Sequence, residues 1–323
     1  MDFRLTEIQR DLQEAARKFA RTELVDLARD LEEKAEPVPH EWVRRYAELG
    51  FLGINVAEEY GGMGLGNLEA LLVVEEFAKI SSAVAFPVFE SCVGPVRAIE
   101  RFAPESLKAR VIPAVCRGEK VVAIGMSEPD SGSDLAAVRS RAVPVPGGFR
   151  VNGTKLWTTY AHEAQYMTLF CRTGDPSERQ GGTSQFLVDM TSPGITVRPV
   201  HDMAGDHHFN EVHLDDVFLP ETAVIGTLGN GWAQVMGELA FERSGPDRFL
   251  SSFALMNEML RVLGRAPDLA AQRAVGRLAA HLMVLREMSR SVAGMLARGE
   301  NPALQAAIVK DLGATLEQQI PEI

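Results

Sequence analysis

Cysteine is scarce in this sequence: Cys92, Cys116 and Cys171 stand far apart and make no Cys-x-x-Cys pair. That spacing suits a reducing compartment and three buried small hydrophobes better than a disulfide framework. Long apolar runs are missing too, since none reaches the roughly 18 residues that a membrane helix needs. Residues 1–13 carry no apolar leader core, so the chain reads as cytoplasmic rather than secreted or membrane-spanning. Basic clusters are also absent. The formal charge of −11 repels a phosphate backbone and argues against nucleic acid as a partner, while leaving room for a small anionic ligand at a local site. No internal repeat or low-complexity linker interrupts the chain.

What the sequence does carry is enough apolar material, 46% of 323 residues, for two or three cores. Ile8, Leu12, Ala15 and Phe19 recur at helical spacing, and Thr6 followed by Gln9 reads as a capping box. Further helical patterns surround Trp42, Tyr46 and Leu49 up to a stop at Gly50, then run from Asn67 to about Ser82 and from about Pro95 to Cys116. After Gly118 the texture changes to short β-branched or alternating segments at 121–129, 138–145, 149–159, 166–172, 184–190 and 195–200, the mark of strands. Pro146-Gly147-Gly148 and Asn152-Gly153 read as turns between them. The β character ends near Ile225. Amphipathic helical stretches follow at about 231–262 and 268–298, and a third is opened by Asn301 and Pro302. The expected fold is α+β: a helical domain over 1–118, a β domain (barrel or orthogonal sheets) over 119–226, and a helical bundle over 227–323. The last helix runs to Ile323 without a C-cap, from which the expectation is that the native chain continues and the bundle is incomplete.

Two segments carry the chemistry. One runs Ile124-Gly125-Met126-Ser127-Glu128-Pro129-Asp130-Ser131-Gly132-Ser133-Asp134, the other Asn152-Gly153-Thr154-Lys155-Leu156-Trp157-Thr158-Thr159. A strand ending in Ser127 and turning through Gly132 and Ser133 offers backbone N–H groups and hydroxyls to an anionic or carbonyl-rich ligand, and the glycine permits close approach. Trp157 is placed to wall a flat aromatic ring, with Thr158 and Thr159 supplying hydrogen bonds to its edge. Together the segments resemble the two-part flavin signature of the acyl-CoA dehydrogenase family. The resemblance extends to Glu58-Glu59-Tyr60-Gly61-Gly62-Met63-Gly64, to Phe209-Asn210-Glu211-Val212, to Asp215-Asp216-Val217 before Pro220, and to Lys310-Asp311-Leu312-Gly313, in the family's order along nearly the whole chain. It implies FAD as cofactor, with Met126 and Ser127 on the isoalloxazine, Gly132 and Ser133 near phosphate and substrate, and Trp157, Thr158 and Thr159 bordering the ring. It also implies dehydrogenation of an acyl-CoA substrate between its α and β carbons, which needs a carboxylate base and hydrogen bonds to the developing enolate.

The sequence departs from the family in two places. Some members carry the base as a glutamate on the first helix after the β domain; the segment here is Leu239-Ala240-Phe241-Glu242-Arg243-Ser244-Gly245-Pro246-Asp247-Arg248. The position aligned with that glutamate is Ser244, which cannot act as a base. Asp247, three residues on and so on the same helical face, and Glu242 are the candidates within this chain; the competing reading pairs them with Arg243 or Arg248. Other members place the base beyond a position corresponding to Ile323. Ser133, Glu242 and Ser244 are the expected substrate contacts, and Gly245-Pro246 implies a bend.

The second departure lies in an Arg-x-x-Phe-Gly stretch that in the family reaches a neighbouring subunit's FAD. Here Arg273 and Gly276 echo it without the aromatic residue. The expectation is a homo- or hetero-oligomer, dimer or tetramer, in which a partner completes some flavin sites; heteromeric members are associated with bulky or unusual CoA substrates. The implied electron acceptor is an electron-transferring flavoprotein. Two other readings stay open: a pocket-completing structural subunit with a degenerate site, and an oxygen-using oxidase or monooxygenase of the same fold. His201, His207, His208 and His213 cluster without metal-ligand spacing, so no metal is expected. The glycines of 61–66 follow a helical region rather than a strand, which removes a dinucleotide fingerprint.

Overall fold

The computed structural model describes residues 4–322. Seven helices come first: α1 Glu7–Phe19, α2 Val25–Lys34, α3 His40–Glu48, α4 Asn67–Ala78, α5 Ser82–Cys92, α6 Pro95–Phe102 and α7 Glu105–Cys116. The capping box at Thr6 and Gln9 forms as expected, each side chain taking the other's backbone N–H. α4 is apolar on nearly every face because it lies at the centre, with Ala70 through Ala78 all buried. Its buried Glu75 and Glu76 are neutralised by Lys79, by Arg17 of α1 and by Arg286. Phe19, Tyr46, Phe51 and Phe77 pack edge-on or tilted around it at 5.2–5.8 Å.

The strands are β1 Val122–Gly125, β2 Arg141–Val145, β3 Gly148–Thr159, β4 Tyr166–Arg172, β5 Thr183–Asp189, β6 Ile195–Val200, β7 Phe209–Pro220 and β8 Val224–Ile225. They form one eight-stranded sheet in the order β6-β7-β3-β2-β4-β5-β8, with β1 parallel to β4. Among the described residues β6 and β8 do not pair, so the sheet stays open. The helices after it are α8 Gly231–Glu242, α9 Phe253–Leu263, α10 Leu269–Ala297 and α11 Ala303–Gln319. Residues of α1–α5 and of α9–α11 share one apolar core, while the sheet has its own. The helices before and after the sheet therefore close around each other.

Several local expectations change. Asn152-Gly153 is not a turn; it lies inside β3 at a register shift against β7, where Gly153 (φ 154°) passes so close to Ser140 that a Cβ would stand 2.2 Å from its hydroxyl. Residues 209–220, quoted above only as motif, are a long strand. α5 was not anticipated, because its apolar sequence has neither a helical stripe nor a period of two. α6 and α7 separate at Ala103-Pro104. Gly245-Pro246 ends α8 rather than bending it, so Ser244 and Asp247 do not share a helical face: Asp247 lies in a 3₁₀ turn, Pro246–Arg248. α11 starts at Ala303, behind a Pro302 that caps without a side-chain bond. Gly62 has a steric role, since a Cβ there would meet the Val56 carbonyl oxygen at 2.2 Å. The stretch Ser82–Phe102 is long and apolar enough to cross a membrane, yet 67% of it is buried inside the fold.

Candidate active site

The signature turn follows β1 and is locked from beneath. Glu128 and Ser131 exchange backbone hydrogen bonds at 2.9 and 3.1 Å, and the Ser131 hydroxyl donates to the Asp134 carbonyl. The Glu128 carboxylate accepts the N–H groups of Arg139 and Ser140 at 2.7 and 3.0 Å. It also takes the Lys155 ammonium at 2.8 Å, whose second bond goes to the Met126 carbonyl. Burial pushes the Glu128 carboxyl up, but the Lys155 charge and these hydrogen bonds outweigh it and hold the group below its usual value. The loop above stays open: Gly132 and Ser133 are exposed, and nothing lies within 4 Å of where a Gly132 Cβ would be. The Met126 side chain packs against the small core of Val138, Phe170 and Val235, on which Trp232, Met236 and Leu239 of α8 also pack, so the turn and that helix share one core. Ser127 stays beside β3, its carbonyl accepting the Leu156 N–H.

A second register shift in β3, between Lys155 and Thr158, re-aims the next side chains. Trp157 takes φ 62° and stands 53% exposed, its ring edge-on to Phe209 at 5.7 Å. Tyr160 also has positive φ, at 47°. Bulky residues in that region cost about 1–3 kcal/mol each, and such strain concentrates at functional sites. The Thr158 hydroxyl is buried with no hydrogen-bond partner, and Thr159 pairs with Phe209 at the strand's end. Of the seven expected flavin contacts, Gly132, Ser133 and Trp157 are exposed, Met126, Ser127 and Thr159 are partly buried, and Thr158 is buried.

Asn210 donates to the Thr158 carbonyl at 3.0 Å. Its own carbonyl oxygen accepts ring N–H groups from His162 and His207, at 3.1 and 2.9 Å, whose rings stack at 4.1 Å. Burial and the neighbouring His207 hold His162 below its usual value. The Tyr160 hydroxyl bonds His208 at 3.1 Å, and Thr154 bonds His213. Asp202, Asp206 and His208 come close together, with one Asp202 oxygen already taking the N–H groups of Ala204 and Asp206.

Glu242 at the end of α8 and Asp247 beyond it converge on one cation. Arg248 bonds Glu242 at 2.5 Å and Asp247 at 3.1 Å. Burial pushes the Asp247 carboxyl up to about 6, against the pull of Arg248, and its other oxygen has no partner. Ser244 is buried, its hydroxyl turned back to the Ala240 carbonyl at 3.5 Å. Arg243 takes no part. The Arg248 guanidinium lies over Phe89, Phe89 stacks on Phe86, and Phe86 meets Tyr160 edge-on at 5.2 Å. α5 thus bridges the acids and the end of β3. On its other side opens a cavity of about 430 Å³, lined by Val38, Leu52, Phe86, Glu90, Tyr160 and His207 among others. Arg273 and Gly276 lie apart from all of this, exposed on α10.

Sequence reasoning missed Glu128, Lys155, Asn210 and Glu90, whereas the competing reading that paired Glu242 and Asp247 with Arg248 is what the structure shows. The first three were within quoted motifs, but their partners lie 27 to 52 residues away. Glu90 was signalled only as a lone acid in an otherwise apolar stretch.

Comparison with known proteins gives a consistent answer. The family descriptions "Acyl-CoA dehydrogenase, N-terminal domain" and "Acyl-CoA dehydrogenase, middle domain" match residues 6–119 and 123–217. Acyl-CoA dehydrogenase FadE34 of Mycobacterium tuberculosis is 35% identical over 277 residues, 85% of this chain but 38% of that protein. Acyl-CoA dehydrogenase FadE29 of the same organism is 32% identical over 265 residues, covering 80% of this chain and 68% of its own length. A solved structure described as the electron-transferring flavoprotein of Acidaminococcus fermentans superimposes with a TM-score of 0.92 at 25% identity, over 100% of this chain and 87% of that one.

Proposed function

The chain belongs to the acyl-CoA dehydrogenase family, and from that premise we propose that it binds FAD and oxidises an acyl-CoA thioester to its α,β-unsaturated product. The observations that carry this reading are the exposure of Gly132, Ser133 and Trp157 in the two signature segments. The indole is held at positive φ, the loop has free space over its glycine, and the residue after the indole has a buried hydroxyl without a partner. That donor set fits a flat, carbonyl-edged ring with a phosphate tail. Met126, Ser127, Trp157, Thr158 and Thr159 would hold the ring, and Gly132 and Ser133 the phosphate side. Bound there, FAD supplies the acceptor for the hydride that leaves the β carbon.

The chain's own residues have two tasks. Trp157 and the signature loop orient the thioester, with Ser133 and Glu242 as proposed contacts, and an acid at the end of α8 accepts the α proton. Asp247 is the proposed base: a carboxyl near 6 is ionised at neutral pH yet basic enough to take a proton. A second reading, a subunit that assembles the site without performing the chemistry, is favoured by the same cluster, because Arg248 already occupies both acids. The proposed electron partner is an electron-transferring flavoprotein, supported by the solved neighbour whose description names one. An oligomer is supported by exposed Met283, Val284 and Ile308 around an apolar groove between α10 and α11.

The test is an absorption spectrum of the purified protein, alone and co-expressed with a paralogue, before and after anaerobic addition of acyl-CoAs. Flavin that bleaches with this chain alone establishes the dehydrogenase. Bleaching only with the paralogue moves the chemistry to a shared site, and no flavin in either case leaves the assembly role. Rapid reoxidation by air would instead mark an oxygen-using relative.

A further inference from the structure

Asn210 joins three segments at the end of β3. It is fully buried and stands opposite Thr158 in the β3–β7 register, just past the shift that begins at Lys155. Its side-chain N–H donates to the Thr158 carbonyl at 3.0 Å. A carbonyl only accepts, so the amide oxygen points the other way. There it meets Nδ1 of His162 at 3.1 Å and Nε2 of His207 at 2.9 Å. Because that oxygen cannot donate, both ring nitrogens carry hydrogen, and the uncharged rings are the Nδ1–H tautomer at His162 and the Nε2–H tautomer at His207. His162 belongs to the turn after β3 and His207 to the loop before β7. Their rings stack at 4.1 Å. Tyr160 ties the same two segments, its N–H donating to the His208 carbonyl at 2.9 Å and its hydroxyl bonding the His208 ring.

Resting on the flavin reading, we infer that Asn210 is a positioning residue for FAD: by gripping the Thr158 carbonyl it keeps Trp157 and Thr159 in the arrangement that takes the ring, and His162 and His207 in turn hold Asn210. The backbone it grips is the one that needs holding. Trp157 and Tyr160 both keep positive φ, and bulky residues stay in that region only where their surroundings fix them. Asn210 bonds the residue between them, from a strand that pairs with β3 on both sides of the bulge. Its effect on the cofactor therefore runs through Trp157 and Thr159 rather than through a contact of its own. The two functions of the amide are separable by chemistry. An aspartate in its place still accepts from both rings, but its carboxylate has no hydrogen to give the Thr158 carbonyl.

The test measures FAD affinity by equilibrium dialysis in mildly alkaline buffer for the wild type, Asn210→Asp, Trp157→Ala and the double variant, with urea denaturation of each protein alongside. Asn210→Asp is expected to unfold cooperatively, because the carboxylate still holds both rings, and to weaken FAD binding about fivefold to tenfold through the lost hydrogen bond. The loss in the double variant is expected to fall well short of the product of the two single losses, since Asn210 acts through Trp157. Nitrogen NMR of the imidazoles in the wild type is expected to find Nδ1–H at His162 and Nε2–H at His207, a reading that decides the matter even where Asn210→Asp fails to fold. FAD bound by Asn210→Asp as tightly as by the wild type, losses that multiply in full, or the opposite tautomer at either histidine overturns the role of Asn210 and leaves the flavin reading standing. A wild-type protein that binds no FAD sinks that reading and this inference with it.

Discussion

Lys155 and Glu128 form an ion pair of 2.8 Å with the lysine fully buried and the glutamate nearly so. The pair spans the two signature segments, since Glu128 belongs to the turn after β1 and Lys155 to β3. It also gathers the Met126 carbonyl and the Arg139 and Ser140 N–H groups, so the open loop at Gly132 rests on a rigid base. Removing one partner of a buried pair leaves the other charge uncompensated, at a cost of about 3–5 kcal/mol, whereas replacing both by apolar groups costs far less. Lys155→Met is therefore expected to lower the unfolding free energy by that amount, and Glu128→Leu with Lys155→Met to recover most of it. Urea denaturation of the four proteins closes the cycle; additive losses would mean the two residues act independently.

The acid buried in α8 gives a pH dependence with a definite sign. Burial pushes Glu238 up to about 8, against the hydrogen bond it accepts from Gln185. The folded protein then binds this proton more tightly than the unfolded chain, whose value is near 4.5. Its contribution is present in full below that value and is lost as pH rises toward about 8. Glu90 and Asp247 act in the same direction, so Glu238→Gln is expected to flatten the decline in part. Chemical denaturation at a series of pH values across this window measures it, and an unchanged slope would contradict the assignment.

Trp157 separates ligand binding from stability. Because the indole is 53% exposed and meets Phe209 edge-on, Trp157→Ala is expected to change the unfolding free energy by no more than about 0.5 kcal/mol. Trp157→Gly also relieves the positive φ and is expected to be neutral or slightly stabilising. Both remove the stacking surface and are expected to weaken flavin retention about fivefold to tenfold, by the loss of roughly 1 kcal/mol of aromatic contact. Equilibrium dialysis against FAD reads this directly, and retention unaffected in both variants would remove Trp157 from the flavin face.

How far the sequence could be read depended on the range of the interaction. Thr6 and Gln9 satisfy each other three residues apart, so that helix start was legible, as were most strands from their alternation. Gly153 was misread because hairpin turns and bulges use the same residue, and only the register against β7 distinguishes them. The signature residues could be named from their motif, but the reason Trp157 is exposed could not: the bulge that turns it outward is a property of the β3–β7 pairing. The pairing of Glu242 and Asp247 with Arg248 was one of the readings the sequence offered, but the placing of Asp247 on the helical face of Ser244 failed because Gly245-Pro246 ends the helix.

The same convergence decides between the two roles left for this chain. Asp247 and Glu242 share Arg248, so each lowers the need of the other to ionise, but their surroundings differ. Asp247 has one carboxylate oxygen without any partner and a value near 6 set by burial; Glu242 holds Arg248 at 2.5 Å from a side chain that is more exposed. A base must keep a free lone pair, and that belongs to Asp247. Asp247→Asn is then expected to slow anaerobic flavin reduction by acyl-CoA by about 10²–10⁴-fold while leaving flavin content intact, and Glu242→Gln to slow it by less than about tenfold. Wild-type reduction is expected to fall below about pH 6 as Asp247 takes up its proton. Stopped-flow absorbance of both variants tests this. If Asp247→Asn reduces as fast as wild type, the proton is taken by a group outside the end of α8, and the cluster on Arg248 is an ion-paired brace for α5.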